Sequence, residues 1–148
     1  MAFKFFEDFS VGDTHNFSGR TVSKDDITRF AGEFDKLPFH LDEESAKRSI
    51  FGGLIASGLH TLSLAASIIV DELLIQSSMS GGLGLSEVRW LKPVRPGDSL
   101  SLVLTVNETE RLQKPTGFGR VRVNLAMSNQ VDAVVMTASV DYLFKCRG

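Results

Sequence analysis

The segment from Gly58 to Gln76, GLHTLSLAASIIVDELLIQ, constrains the fold of this chain more than any other. It is apolar around most of its circumference and has no Gly or Pro after its first residue, a pattern that predicts one long helix. A helix of this length extends roughly 28 Å, close to membrane thickness, but His60, Asp71 and Glu72 interrupt the apolar surface. We therefore expect a buried helix in the core of a soluble domain, and no membrane partner.

The strands predicted after this helix supply the surface that can cover it. Residues 100–106, 119–127 and 134–144 alternate apolar and polar side chains, which is typical of strands with one buried face. Another strand is expected at 85–91, after a loop of small residues at 77–84. The sequence therefore predicts an α+β fold in which an antiparallel β-sheet wraps around a long central helix.

The chain before this helix is predicted to form shorter elements. Residues 3–9 alternate Phe with polar residues and indicate a strand or an extended arm, and 14–21 indicate a short strand. Ser23 is a candidate N-cap for an amphipathic helix with apolar residues at helical spacing. These residues are Ile27, Phe30, Ala31 and Phe34.

Pro38 is expected to end that amphipathic helix. Proline disfavours helical geometry in the residue before it, so the helix cannot continue past Leu37. We expect residues 39–42 to be extended, and a short helix to follow over 43–48 with Asp42 as its N-cap.

Composition limits the kinds of partner and site. The chain has 148 residues, 43% of them hydrophobic, which fits a single domain over residues 1–148. The net charge of −2 argues against nucleic acid as a partner. No His or Cys cluster has metal-ligand spacing, so no metal is expected. The single cysteine, Cys146, and an N-terminus without an apolar leader predict a reducing, cytoplasmic location.

Asp35 and His40 are the strongest catalytic candidates, in the segment DKLPFH. A carboxylate beside an imidazole can share a water and move protons near neutral pH. Taken alone, the pair is more typical of a solvated turn. However, Gly53 and Gly58 follow at the mouth of the buried helix, where free backbone N–H groups can hold the oxygen of a polarised carbonyl. The combination predicts proton transfer next to a carbonyl group.

Three segments together resemble the MaoC-like dehydratase family, which comprises hot-dog-fold enoyl-CoA hydratases related to the R-specific hydratases. They are D-x-x-P-x-H-x-D at 35–42, FGGLIASG at 51–58 and VRWLKPVRPGD at 88–98. The resemblance implies an acyl-CoA substrate and no cofactor other than the coenzyme A that the substrate carries. It also implies that Asp35 and His40 bind one water, which adds to C3 of a trans-2-enoyl-CoA while C2 gains a proton. The Gly58 N–H would then stabilise the enolate-like thioester oxygen.

Two positions depart from the pattern of the hydratases. Leu37 stands where they typically have Asn, and Ser57 stands where they often have His before the helix glycine. These changes resemble a subgroup that includes mesaconyl-CoA-type hydratases, and they leave the acyl group open. We expect Leu37, Phe39, Gly53 and Ser57 to contact the substrate near the catalytic pair.

Two further groups of residues are weaker candidates for substrate binding. Ser63 belongs to a polar stripe on the central helix, which can line the acyl pocket or hydrogen-bond to its own helix. The other members of this stripe are His60, Ser67 and Asp71. Basic residues near the Pro-Gly-Asp turn can meet the phosphates of coenzyme A or form a solvated loop. These residues are Arg89, Lys92 and Arg95.

Two other functions compete with hydration: a hot-dog acyl-CoA thioesterase and a non-catalytic acyl-CoA-binding subunit. Hot-dog thioesterases generally place their key carboxylate elsewhere, and a binder has no need for both Asp35 and His40. We also expect at least a homodimer with its sites near the subunit junction. A single sheet covers only one side of the 58–76 helix and leaves edge strands unpaired, and hot-dog proteins commonly pair their sheets edge to edge.

Overall fold

The computed structural model, which describes residues 2–148, contains four helices and one five-stranded antiparallel sheet. In chain order the elements are β1 (Thr14–Thr21), α1 (Lys24–Phe34), α2 (Pro38–Leu41), α3 (Glu43–Lys47), α4 (Gly58–Glu72), β2 (Met79–Trp90), β3 (Ser99–Arg111), β4 (Phe118–Ser128) and β5 (Val134–Lys145), with 3-10 turns at Phe6–Asp8 and Leu74–Gln76. The strand order is β1-β3-β4-β5-β2. The sequence predicted this α+β arrangement of a sheet around a long helix, which is the hot-dog fold.

The core lies between α4 and the inner face of the sheet. Alternate residues of β3 and β4 point inward and are buried, as their alternation predicts. They are Leu100, Leu102, Leu104 and Val106 on β3, and Val121, Val123, Leu125 and Met127 on β4. From α4, Ala65, Ile68 and Ile69 meet them and are at most 2% exposed. Each buried aliphatic side chain of this size stabilises the fold by about 1.5–3 kcal/mol, so this layer fixes α4 against the sheet.

α4 is shorter than the predicted helix over 58–76. It ends at Glu72, because Leu73 leaves helical geometry with φ −135° and ψ −57°, and a 3-10 turn follows. The whole segment is long and apolar enough to span a membrane by length and composition. However, Ile68 and Leu73 pack inside the protein core, so the structure confirms a core helix.

The start of α1 is confirmed and explains where Asp35 lies. The Ser23 hydroxyl accepts from the Asp26 N–H at 3.0 Å, and Asp26 Oδ2 accepts from the Ser23 N–H at 3.1 Å. This reciprocal capping box fixes the first turn. Asp35 is the C-cap, and its N–H donates to the Ala31 carbonyl. The carboxylate of Asp35 is therefore placed by the end of a well-defined helix.

The prediction of an extended segment at 39–42 is wrong for residues 39–41 and holds only for Asp42, which has φ −125° and ψ 119°. Pro38 is the first residue of the short helix α2. Its fixed φ suits this position, and the N–H that proline lacks would have no partner within the helix there. The restriction that Pro imposes falls on Leu37 alone, which is extended with ψ 138°. Asp42 then caps α3 as predicted, because its Oδ2 accepts from the Ser45 N–H at 3.0 Å.

Two strand boundaries were also predicted incorrectly. Residues 3–9 form no extended strand: Lys4 makes an isolated bridge with Ser77, and a 3-10 turn at Phe6–Asp8 buries Phe6. Conversely, β2 begins at Met79, inside the expected loop of small residues. Its glycines are held by backbone pairing with β5, with register shifts along the strand, so tertiary pairing overrides their low strand propensity.

Candidate active site

Asp35 and His40 are brought together at the opening of α4. His40 Nε2 lies 3.4 Å from Asp35 Oδ2, and the imidazole is buried whereas the carboxylate is about one quarter exposed, at 23%. The end of α1 positions Asp35, and the turn of α2 positions His40 five residues later. The two side chains therefore form the pair that the DKLPFH spacing predicted.

A hydrogen bond to the backbone fixes the orientation of the His40 ring. Its Nδ1 lies 2.8 Å from the Ile55 carbonyl. A carbonyl oxygen can only accept, so Nδ1 carries a proton and Nε2 of the neutral ring is an acceptor. The Ile55 N–H donates a hydrogen bond to the Phe39 carbonyl at 3.2 Å. The Phe39 ring packs edge-on against the imidazole. In the neutral ring, the lone pair of Nε2 therefore faces Asp35.

Ser57 connects this pair to α4. It is the N-cap of the helix, 1% exposed, and its hydroxyl accepts from the Leu59 N–H at 3.2 Å. The same hydroxyl donates to Asp35 Oδ2 at 2.7 Å. Within residues 2–148, Asp35 Oδ1 accepts no hydrogen bond. One oxygen of the carboxylate is thus tied to the protein, and the other is available to a ligand or water.

Gly58, the first residue of α4, contributes a backbone donor. In the part of the chain that the structure describes, its N–H has no acceptor, and it lies at the positive end of the α4 dipole. Trp90 Nε1 donates to the Gly58 carbonyl at 2.9 Å. A Cβ at Gly58 would lie 2.5 Å from Trp90 Cε2, so the indole requires Gly at this position. Close packing of the indole thus accounts for the glycine, while the N–H stays free.

These groups face one cavity of about 460 Å³. Polar or charged side chains on its wall come from Asp35, His40, Thr61 and Lys92, and aromatic ones from Phe39, Phe51 and Trp90. No sequence pattern indicated Phe51, Thr61 or Trp90 as site residues. Trp90 lies inside the quoted segment VRWLKPVRPGD, but its contact with Gly58 joins residues 32 positions apart and has no local signal.

The other predicted site residues occupy different places. Lys92 lines the cavity. Arg95 contacts the loop that contains Phe51 and Gly53. Its Nη2 donates to the Phe51 carbonyl at 2.7 Å. Its Nη1 would lie 3.3 Å from a Cβ added at Gly53. Leu37 and Arg89 are exposed and do not belong to the cavity wall.

The polar stripe of α4 does not line the cavity. Ser63 Oγ donates to the Leu59 carbonyl of its own helix at 2.8 Å. Arg20 of β1 donates to Ser67 at 2.6 Å and pairs with Asp71. The ring of His60 stacks on Phe30 of α1 at 4.8 Å. These contacts join α4 to its neighbours in the fold.

The fold, together with an Asp–His pair at the mouth of its central helix, points to one class of protein, and the comparison with known families agrees. The profile of the MaoC like domain matches residues 8–127. The chain belongs to the MaoC-like dehydratase family, which includes hydratases and dehydratases.

Three similar proteins support this placement. The chain is 33% identical over 139 residues to the uncharacterized protein YdeM of Bacillus subtilis (strain 168), covering 94% of this chain and 97% of YdeM. It is 31% identical over 104 residues to an (R)-specific enoyl-CoA hydratase of Rhodospirillum rubrum, covering 69% of each protein. The crystal structure of a MaoC-like dehydratase from Rhodospirillum rubrum superposes with a TM-score of 0.88 at 35% identity, covering 97% of this chain and 98% of the other.

Proposed function

We propose that this protein adds water across the 2,3 double bond of a trans-2-enoyl-CoA thioester to give a 3-hydroxyacyl-CoA, or catalyses the reverse dehydration. One observation carries the proposal: a single cavity presents the Asp35–His40 pair and the free N–H of Gly58. The (R)-specific enoyl-CoA hydratase among its relatives is consistent with that chemistry.

The pair is suited to hold and activate one water. His40 Nε2 and the Asp35 carboxylate are both acceptors, so a water that donates one hydrogen to each satisfies both. As the water oxygen bonds to C3, the pair accepts one of its protons, and a proton is returned to C2. The pair therefore ends the cycle in the protonation state in which it began.

The Gly58 N–H is suited to stabilise charge at the other end of the conjugated system. When oxygen bonds to C3, electron density moves to the thioester oxygen, which becomes enolate-like. A donor placed at the positive end of a helix stabilises this oxygen more in the transition state than in the ground state. Two sites, one for water and one for the oxygen, thus match the two ends of an enoyl thioester.

A second, apolar cavity of about 440 Å³ offers a place for the acyl chain. It lies between α4 and the strands β2 and β5, and its wall includes Leu62, Ala66, Leu83, Leu85 and Tyr142. Leu62 follows Leu59 of the first cavity by three residues, on the same face of α4. Its lining is mainly aliphatic and favours an uncharged acyl chain.

We extend the proposal to a homodimer. β2 pairs with β5 on one side, and within residues 2–148 no strand pairs with its other edge. The half-exposed side chains of Leu83, Leu85 and Trp90 on β2, and of Leu59 on α4, lie along this region. A second copy that pairs with β2 covers them and brings the subunit junction next to the cavity. Light scattering should return at least twice the 16.2 kDa chain mass, and a fully active monomer would exclude the dimer.

A two-channel assay tests the proposed reaction. With crotonyl-CoA, hydration removes the ultraviolet absorbance of the enoyl thioester, while thioester hydrolysis releases a thiol that a colorimetric reagent detects. We expect loss of absorbance without thiol. Thiol release would support the thioesterase alternative, and saturable binding without turnover would support a non-catalytic binder. Enoyl-CoAs that differ in chain length, branching and a terminal carboxylate then identify the acyl group.

A further inference from the structure

Ser57 occupies a position that substrate contact does not explain. Its hydroxyl is buried behind the Asp35 carboxylate, and its side chain does not belong to the cavity wall. The Leu59 N–H donates to Ser57 Oγ, so the hydroxyl proton is directed to its other neighbour, Asp35 Oδ2. Because Ser57 is 1% exposed, its hydroxyl is shielded from bulk water and has only these two partners within residues 2–148.

We propose that Ser57 is a positioning residue. Its hydroxyl fixes the rotation of the Asp35 carboxylate and keeps this carboxylate at a constant position relative to the Gly58 N–H. This inference deepens the proposed hydration and rests on it for its catalytic consequence. It replaces the direct substrate contact that the sequence suggested for Ser57.

The first reason is the freedom of an aspartate side chain. The torsion that rotates a carboxylate about its last carbon–carbon bond is broad, with no sharp staggered minima. Within residues 2–148, Asp35 makes no ion pair with Lys or Arg, and its other contact is with His40 Nε2 at 3.4 Å, which is an acceptor in the neutral ring and donates no hydrogen bond. The 2.7 Å bond from Ser57 is therefore the interaction that selects one rotation and leaves Oδ1 free.

The second reason is that Ser57 and Gly58 are consecutive residues. Ser57 caps the helix whose first N–H is the proposed donor to the thioester oxygen, and the Trp90 indole holds the carbonyl of the same Gly58. The water site and the oxygen site are thus joined through one side chain and one peptide bond. The substrate fixes the separation between C3 and the thioester oxygen, so a displacement of Asp35 relative to Gly58 disrupts both contacts.

Kinetic variants of Ser57 test the proposal. Ser57→Ala should lower kcat for crotonyl-CoA hydration by about 10- to 100-fold, as expected for a misplaced catalytic group. The Kd of butyryl-CoA, a saturated thioester that cannot be hydrated, should stay within about twofold, read from the fluorescence of Trp90, the single tryptophan. Ser57→Thr, which keeps the hydroxyl, should recover most of kcat.

Two controls separate positioning from helix capping. Gly is nearly as good an N-cap as Ser, so Ser57→Gly removes the hydroxyl with little loss of helix stability and should lower kcat as Ala does. Ser45 donates to Asp42 Oδ2 at 2.7 Å outside the site, and Ser45→Ala should leave kcat unchanged. In an Asp35→Asn background, Ser57→Ala should lower kcat by less than about threefold, because Ser57 acts through Asp35.

A measurement without turnover tests the geometry directly. In ¹⁵N-histidine NMR spectra, Ser57→Ala and Asp35→Asn should move the His40 Nε2 resonance in the same direction, and Ser45→Ala should not move it. The proposal is overturned if Ser57→Ala leaves that resonance or kcat unchanged. It is also overturned if Ser57→Ala lowers kcat by the same factor in the wild type and in the Asp35→Asn variant. If the wild type hydrates no enoyl-CoA, the proposed function fails, and the NMR result still decides whether Ser57 positions Asp35.

Discussion

The mouth of α4 and the outer face of the sheet each hold a carboxylate among polar partners, but they differ in what is left free. On the outer face, both oxygens of Asp141 are bonded: Arg122 donates to them at 2.8 and 3.0 Å, and Arg120 adds a bond at 3.2 Å. At the mouth of α4, Asp35 lines a cavity, and its Oδ1 has no hydrogen-bond partner within residues 2–148. Spare hydrogen-bonding capacity beside a cavity, rather than the presence of a charge, distinguishes the candidate site.

His60 also has an unused hydrogen-bonding atom, but this residue does not line a cavity. Its Nδ1 is buried and has no hydrogen-bond partner in the described chain, and the ring is stacked on Phe30. Burial lowers the pKa of His60 below its ordinary value of 6.5. The residue lines neither the cavity that contains Asp35 nor the apolar cavity, so we interpret it as a packing residue that is sensitive to pH.

The largest expected effect follows from removing the free acceptors at the mouth of α4. Asp35→Asn and His40→Ala should each lower kcat for hydration by about 10² to 10⁴, the usual contribution of a positioned acid or base. The double variant should be little worse than the worse single variant, because both groups act on one water. Steady-state kinetics measure this, and near-normal turnover in either single variant would exclude the pair.

A smaller loss is expected when the donor at the same mouth is displaced. Gly58→Ala places a Cβ 2.5 Å from Trp90 Cε2, so the indole and the helix start must separate. We expect kcat/KM to fall by about 10²-fold, as when an oxyanion donor is lost. Apart from its chain neighbours and its own helix backbone, no atom of residues 2–148 lies within 4 Å of a Cβ added at Gly32 of α1, so Gly32→Ala is the matched control and should keep full activity. Equal kinetics for the two variants would remove Gly58 from the site.

Asp141→Asn should show the opposite profile, with a loss of stability and no loss of activity. The guanidinium of Arg122 holds the pKa of Asp141 below its ordinary value of 3.8. Stabilisation by this ion pair is therefore present above about pH 4 and is lost as the pH falls through the lowered pKa. Thermal unfolding at neutral pH should show a Tm lower by a few degrees. A large loss of kcat with an unchanged Tm would contradict the contrast between the two regions.

The smallest effect is expected from His60. Because its pKa is lowered in the folded state, the unfolded chain binds more protons, and the folded state loses stability as the pH falls below about 6.5. One such group changes the free energy of unfolding by at most about 1.4 kcal/mol per pH unit. His60→Phe keeps an aromatic ring against Phe30 and should flatten this dependence. Denaturant unfolding between pH 5 and 7.5 measures it, and identical slopes for both proteins would refute the assignment.

Most of the fold was predictable because its signals are local. The caps at Ser23 and Asp42 and the alternation in β3, β4 and most of β5 are contained in a few neighbouring residues each, and the structure confirms them. The alternation fails only at the start of β5, where Val135 rather than Val134 is buried. The Asp35–His40 pair was found for the same reason, since the two residues are only five positions apart.

What the sequence did not predict depends on distant contacts. The Ser57 hydroxyl reaches back 22 residues to Asp35, and Trp90 reaches back 32 residues to Gly58. The start of β2 at Met79, ahead of the predicted strand at 85–91, depends on backbone pairing with β5, whose partner residues lie 46 to 65 positions later. Such contacts arise when the chain folds, and no spacing in the sequence indicates them.

Hydration in ¹⁸O-labelled water tests the central claim most directly. Wild-type protein, incubated with crotonyl-CoA and analysed by mass spectrometry, should give intact 3-hydroxybutyryl-CoA with one ¹⁸O at C3 and no label in the thioester carbonyl. The Asp35→Asn variant should form this product far more slowly. A free carboxylic acid with ¹⁸O in its carboxyl group and released coenzyme A thiol would contradict the account, because water would then attack C1 rather than C3.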